Sequence, residues 1–273
     1  MTNYEVPVQS IIFMGVSAIL SVLIPIALLI YFKKKSKASI APFFVGCGVF
    51  LVFALVLESL VHQLVFSTKT GDTIMDTTWL YALYGGLMAG LFEETGRFAA
   101  FKTVLKKYQG NDANALMYGA GHGGLESIVV LGISMVGNIV LAILINIGSL
   151  DAMQDILAGE AGEAFEELIS NLTGAASYMY LAGLVERIFA IVLQISLSVI
   201  VWFAAKNRKK LFLFPMAILI HAAIDAVTVV MTRNTADTWL IEATVGVMAI
   251  IVAIAAKLIY LKNHSDENEK LDF

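Results

Sequence analysis

The chain has 273 residues, of which 59% are hydrophobic and 15% charged, with a formal net charge of −4 and a mean hydropathy of +0.81. A soluble domain carries about 25% charged residues, so this composition excludes an ordinary soluble globule, and the lack of a basic tract excludes a nucleic-acid partner. Cys47 is the only cysteine, which excludes an intramolecular disulfide and a thiolate metal cluster.

In chain order, the apolar blocks predict about seven membrane-spanning helices near 10–32, 40–66, 79–105, 114–148, 177–205, 211–232 and 239–261. Each is near the ~20 residues that cross a bilayer as a helix. The N-terminal MTNYEVPVQS lacks the basic region of a signal peptide, and the first block ends in KKKSK, so it reads as a retained anchor. The fourth block is too long for one straight crossing and should tilt, kink or break near Gly132 or Gly137. The expected fold is thus an all-α polytopic membrane bundle forming a single integral-membrane domain over 1–273, in the cell (plasma) membrane.

Basic residues orient it. Lys33, Lys34, Lys35 and Lys37, then Lys102, Lys106 and Lys107, then Lys206, Arg208, Lys209 and Lys210, and finally Lys257 and Lys262 all fall on one side if there are seven crossings. That side is expected to be the cytosol, with the N-terminus outside and the C-terminus inside. The opposite loops carry Lys69 and Arg233. The outer loop at about 149–176 is acidic, with Met153, Ile156, Leu157, Phe165, Leu168, Ile169 and Leu172 at helical spacing, and predicts amphipathic helices that lie on the membrane or cap the bundle.

The third block places Glu93, Glu94 and Arg97 within five residues of apolar helix. A carboxylate at the bilayer centre costs several kcal/mol unless paired, protonated or liganded. Arg97, at i+3 from Glu94 and i+4 from Glu93, can neutralise one of them, Glu94 by preference. A packing pair would need one Glu and one Arg, so the second Glu asks for a second reason. The fourth block supplies GAGHGGLES, with His122 and Glu126 at i, i+4, and the sixth supplies HAAID, with His221 and Asp225 at i, i+4. Such pairs can point two ligands at one metal. At ~1.5 Å per residue, His122 lies roughly 12 Å and His221 roughly 15 Å from the cytosolic ends of their blocks, and Glu93 roughly 18 Å from the Lys106 end of its own. One polar site can contain all three.

Imidazole and carboxylate without thiolate suit a divalent metal, zinc foremost, in an open catalytic site. A glutamate beside a water polarised by such an ion can take its proton and return it to a leaving amine. Metal-assisted hydrolysis of a membrane-embedded or membrane-associated peptide is the reaction these groups fit. An ion- or proton-coupled transporter would use similar residues, but its acids should form a chain across the bilayer and inverted repeats are absent. A non-catalytic scaffold is the third reading. Glu58 with His62, Glu186 with Arg187, Asn138 and Gln194 are expected to serve helix packing.

The motifs EETGR (Glu93 to Arg97), YGAGH (Tyr118 to His122) and HAAID (His221 to Asp225) occur in order on successive core helices. In this the sequence resembles the YhfC-like intramembrane metalloproteases, within the larger set of CAAX prenyl, bacteriocin-processing and PrsW-type proteases. The resemblance implies a catalytic core over about 79–232, with Glu93 activating the water and Glu94 and Arg97 supporting it. It implies His122 and His221 as metal ligands and Asp225 as a ligand or polar partner. Two features depart from the pattern. Tyr118 stands where phenylalanine is usual, and Glu126 has no counterpart in the prenyl proteases, so that it is either an added ligand or an acid just outside the ligand set.

Overall fold

A computed structural model of the protein describes residues 5–149 and 160–271, which are helical with no β-strand among them. In chain order the helices are α1 (Val8–Lys35), α2 (Ala41–Phe66), α3 (Lys69–Asp76), α4 (Thr78–Lys102), α5 (Ala113–Asn146), α6 (Glu160–Gly174), α7 (Met179–Lys206), α8 (Leu213–Asn234) and α9 (Thr238–Leu271). Six are long and apolar enough to cross a membrane: α1, α2, α5, α7, α8 and the Thr238–His264 part of α9. The remaining expected span is α4. Its 25 residues reach about 37 Å at 1.5 Å per residue, but Glu93, Glu94 and Arg97 make it too polar to join the other six. The molecule is an integral, multi-pass helical membrane protein.

Two helices are not regular throughout. α2 is π-helical over Phe50–Glu58 and α5 over Ile128–Ile133. The long fourth span therefore continues through a π-helical turn containing Gly132 instead of breaking, and Gly137 lies in regular helix beyond it. π-Helical turns inside α-helices are common at functional sites, and the one in α2 ends at Glu58.

The chain forms two compact units. The first comprises Met1–Leu23 and Ser127–Arg187. In it α6 buries Ile169 and Leu172 against Val6, Met14, Leu141 and Ile145, with Phe165 packed beside them. The apolar spacing of the outer loop thus serves packing along α6, although Leu168 stays exposed. Met153, Ile156 and Leu157 lie outside the described residues.

The second unit, Ile24–Glu126 and Ile188–Phe273, carries every candidate site residue. Its helices approach through glycine. A Cβ at Gly86 or Gly90 would lie 2.3 Å from the Ala222 carbonyl oxygen or 2.6 Å from that of Ile218, so α4 packs backbone to backbone on α8. Gly121 meets Phe43 in the same way, and Gly119 meets Ile195, bringing α5 against α2 and α7. Small residues at such crossings let polar side chains further along the same helices meet. Towards the lysine-bearing helix ends Phe101, Leu105, Tyr118, Leu197 and Trp202 form a fully buried apolar layer.

Candidate metal centre

Consecutive residues on a helix point about 100° apart, so Glu93 and Glu94 meet different neighbours. Glu94 faces Arg97 and α8. Arg97 Nη1 donates to Glu94 Oε1 at 2.5 Å, both side chains being fully buried. His221 Nδ1 bonds the same Glu94 oxygen at 2.8 Å, and its Nε2 stands 3.5 Å from Asp225 Oδ2. The imidazole of His221 is therefore held between two carboxylates, one from α4 and one from the next turn of its own helix.

Glu93 faces α5 and α7. Its Oε2 bonds His122 Nε2 at 2.8 Å and accepts from Gln194 Nε2 at 2.9 Å. The same Gln194 nitrogen donates to Glu126 Oε2 at 3.0 Å, and Gln194 Oε1 accepts from Arg97 Nη2. The amide can adopt only this orientation, because a guanidinium only donates and an ionised carboxylate only accepts. Gln194 thus links Arg97, Glu93 and Glu126 from the centre of α7. It was expected to be a packing residue; its one sequence signal is a primary amide deep in an apolar span, and such a residue reveals nothing of its partners. Phe50 packs edge-on against the His122 ring at 5.4 Å, and Tyr118 lies 6.0 Å away on the other turn.

Among the described residues, ligand atoms of Glu93, His122 and Glu126 lie within 4.8 Å of one another. An ion held at about 2.0–2.2 Å by each ligand sets neighbouring ligand atoms roughly 3–4 Å apart, so this group can close on an ion by small side-chain movements. His122 Nδ1 is buried and without a hydrogen-bond partner, which leaves one ring nitrogen uncommitted. Two carboxylates and an imidazole suit a borderline-to-hard divalent ion. The residues fit a metal. His221 and Asp225 are not in this group; they form a second layer through Glu94. Of the expected site residues, Glu93, His122 and Glu126 are brought together directly, Arg97 is linked to them through Gln194 and bonds Glu94, which bonds His221, and Asp225 stands at the edge.

Fold and site define a polytopic helical membrane protein with a buried glutamate–histidine centre able to hold a divalent ion. The model of the YhfC intramembrane metalloprotease family matches residues 20–245, and the chain belongs to that family. It is 37% identical over 254 residues to the Bacillus subtilis (strain 168) protein named "Uncharacterized membrane protein YhfC", a match that covers 92% of this chain and 95% of that one. No solved structure matches the chain at a significant level.

Proposed function

We propose that the protein is a metal-dependent intramembrane endopeptidase in which His122 and Glu126 would hold the ion and Glu93, beside them, is the base. The observation that carries this reading is the closeness of those three ligand groups inside an apolar bundle, together with membership of a family described as intramembrane metalloproteases. A divalent ion there, zinc by the donor set, would polarise the scissile carbonyl and a water molecule. The chain's own residues divide the remaining work. His122 and Gln194 hold Glu93 through Oε2; Oε1 makes no hydrogen bond among the described residues and is the atom that takes the proton from water and passes it to the leaving amine. Gln194 keeps Glu93 and Glu126 side by side by donating to both, which offsets their repulsion. Arg97 neutralises Glu94, Glu94 fixes the His221 ring, and His221 with Asp225 positions the peptide at the open edge of the site.

Metal analysis of detergent-purified protein tests the arrangement. The parent should carry about one ion per chain. His122→Ala and Glu126→Ala should lose it, with affinity down by more than tenfold, and Gln194→Leu should weaken it on the order of 10–100-fold, as loss of groups orienting the ligands does. His221→Ala should keep most of its metal while losing hydrolysis. A parent protein that is metal-free after purification without chelator would sink the reading.

A further inference from the structure

The site is not equally closed on its two sides. Counted at 1.5 Å per residue from the lysine-bearing helix ends, Phe101, Trp202, Tyr118 and Arg97 lie within about 8 Å, Glu93 and His122 at about 14 Å, and Asp225 and Glu126 at about 18–20 Å. Glu58, Tyr84 and His62 follow at about 25–32 Å. Exposure is confined to the groups beyond Glu93 and His122, without a steady rise among them. Arg97, Glu94 and His122 side chains are 0% exposed, that of Glu93 9%, Glu58 11%, His62 29% and Asp225 36%. On the lysine side the cluster is sealed by rings in contact, Phe101 with Tyr118 at 4.7 Å and with Trp202 at 5.0 Å, all fully buried.

On the other side polar groups continue. His62 bonds Tyr84 Oη through Nδ1 at 2.9 Å and Glu58 Oε1 through Nε2 at 3.2 Å. A carboxylate half-way along a membrane helix costs about 2.5–3.5 kcal/mol or more against acyl chains, and Asp225, 36% exposed beside His221, stands at such a depth. Glu58, His62 and Tyr84 are absent from the motifs EETGR, YGAGH and HAAID.

We infer that water and the peptide substrate reach the centre from the side opposite the lysine-rich helix ends, along Asp225, Glu58, His62 and Tyr84, and that the lysine side is closed. On the orientation expected from the basic residues, this is the outer side of the membrane, so the peptide is one presented from the outer leaflet or surface. The inference deepens the proposed function by naming the direction of access, yet its test does not depend on hydrolysis or metal.

Single-cysteine variants in a Cys47→Ser background would be treated in sealed vesicles with a membrane-impermeant thiol reagent, with Lys69→Cys and Lys209→Cys marking the two surfaces. Glu58→Cys and Tyr84→Cys should react from the Lys69 side at least tenfold faster than from the Lys209 side. Ala100→Cys and Ala115→Cys, in the sealed layer, should be protected from both. Because substitutions can perturb the bundle, the parent protein would also be treated with an impermeant carbodiimide and mapped by mass spectrometry. Modification of Asp225 and Glu58 from the Lys69 side, with Glu94 spared, is expected. Labelling of Ala100→Cys or Ala115→Cys from the Lys209 side, or carboxylate modification from that side alone or from neither, would overturn the inference whatever the protein hydrolyses.

Discussion

Two buried carboxylate clusters in the same unit behave differently. At the lysine-bearing end Asp112 accepts from Trp202 Nε1 at 2.8 Å and from Lys206 Nζ at 2.7 Å, with His264 Nδ1 3.6 Å from its other oxygen. One carboxylate there meets three donors, and charge balances within the cluster. At the centre Glu93, Glu94, Glu126 and Asp225 surround one permanent cation, Arg97, with two imidazoles and an amide. The bonds run from group to group across α4, α5, α7 and α8 instead of meeting at one carboxylate. The first arrangement ties α5, α7 and α9 together and needs nothing more. The second brings ligand atoms of Glu93, His122 and Glu126 within 4.8 Å of one another, and that convergence is what separates the two clusters.

The contrast can be broken or sharpened by substitution. The largest expected effect is at Glu93. Glu93→Gln keeps size and membrane insertion but removes the base, so cleavage of a reporter peptide should fall on the order of 10²–10⁴-fold; a well-folded variant that cleaves at the parent rate would remove Glu93 from the mechanism. Next is Arg97→Ala, which leaves the fully buried Glu94 without its permanent cation. A thermal melt in detergent should show a loss of about 3–5 kcal/mol, with Arg97→Lys recovering only part of it because an ammonium cannot reproduce the guanidinium fork to Glu94 and Gln194. An unchanged melt would contradict the pairing. The smallest effect belongs to the balanced cluster: Asp112→Asn should cost about 1.5–3 kcal/mol and leave the bound metal unchanged. Loss of metal from Asp112→Asn would erase the distinction between the two clusters.

Parts of the centre were legible residue by residue. The Glu94–Arg97 pair follows from i, i+3 spacing on one helix, and Glu93 with His122 from depth along two helices whose ends are marked by lysine. The His221–Asp225 proximity follows from i, i+4 in the same way. Gln194 was not legible as a bridge, and His221 reads equally well as a ligand or as a partner of Glu94. Glu58 and His62 were legible as a pair from i, i+4 spacing, but their bond to Tyr84 on α4 was not, because it depends on how α2 and α4 face each other.

The amino-acid sequence alone determined that this is a helical membrane protein, roughly where its helices run, which residues are too costly to bury unpaired, and the depth at which they gather. Those properties depend on hydrophobicity, helical rise and local spacing, all of which are written along a single chain segment. Tertiary structure decided which acid faces which base. That choice rests on the rotation of each helix about its axis, where a shift of one residue turns a side chain by about 100°, and the rotation is set by the glycine contacts of α4 with α8 and of α5 with α2 and α7. It is those contacts that send Glu93 to His122 and Gln194, send Glu94 to Arg97 and His221, and leave Asp225 at the open edge.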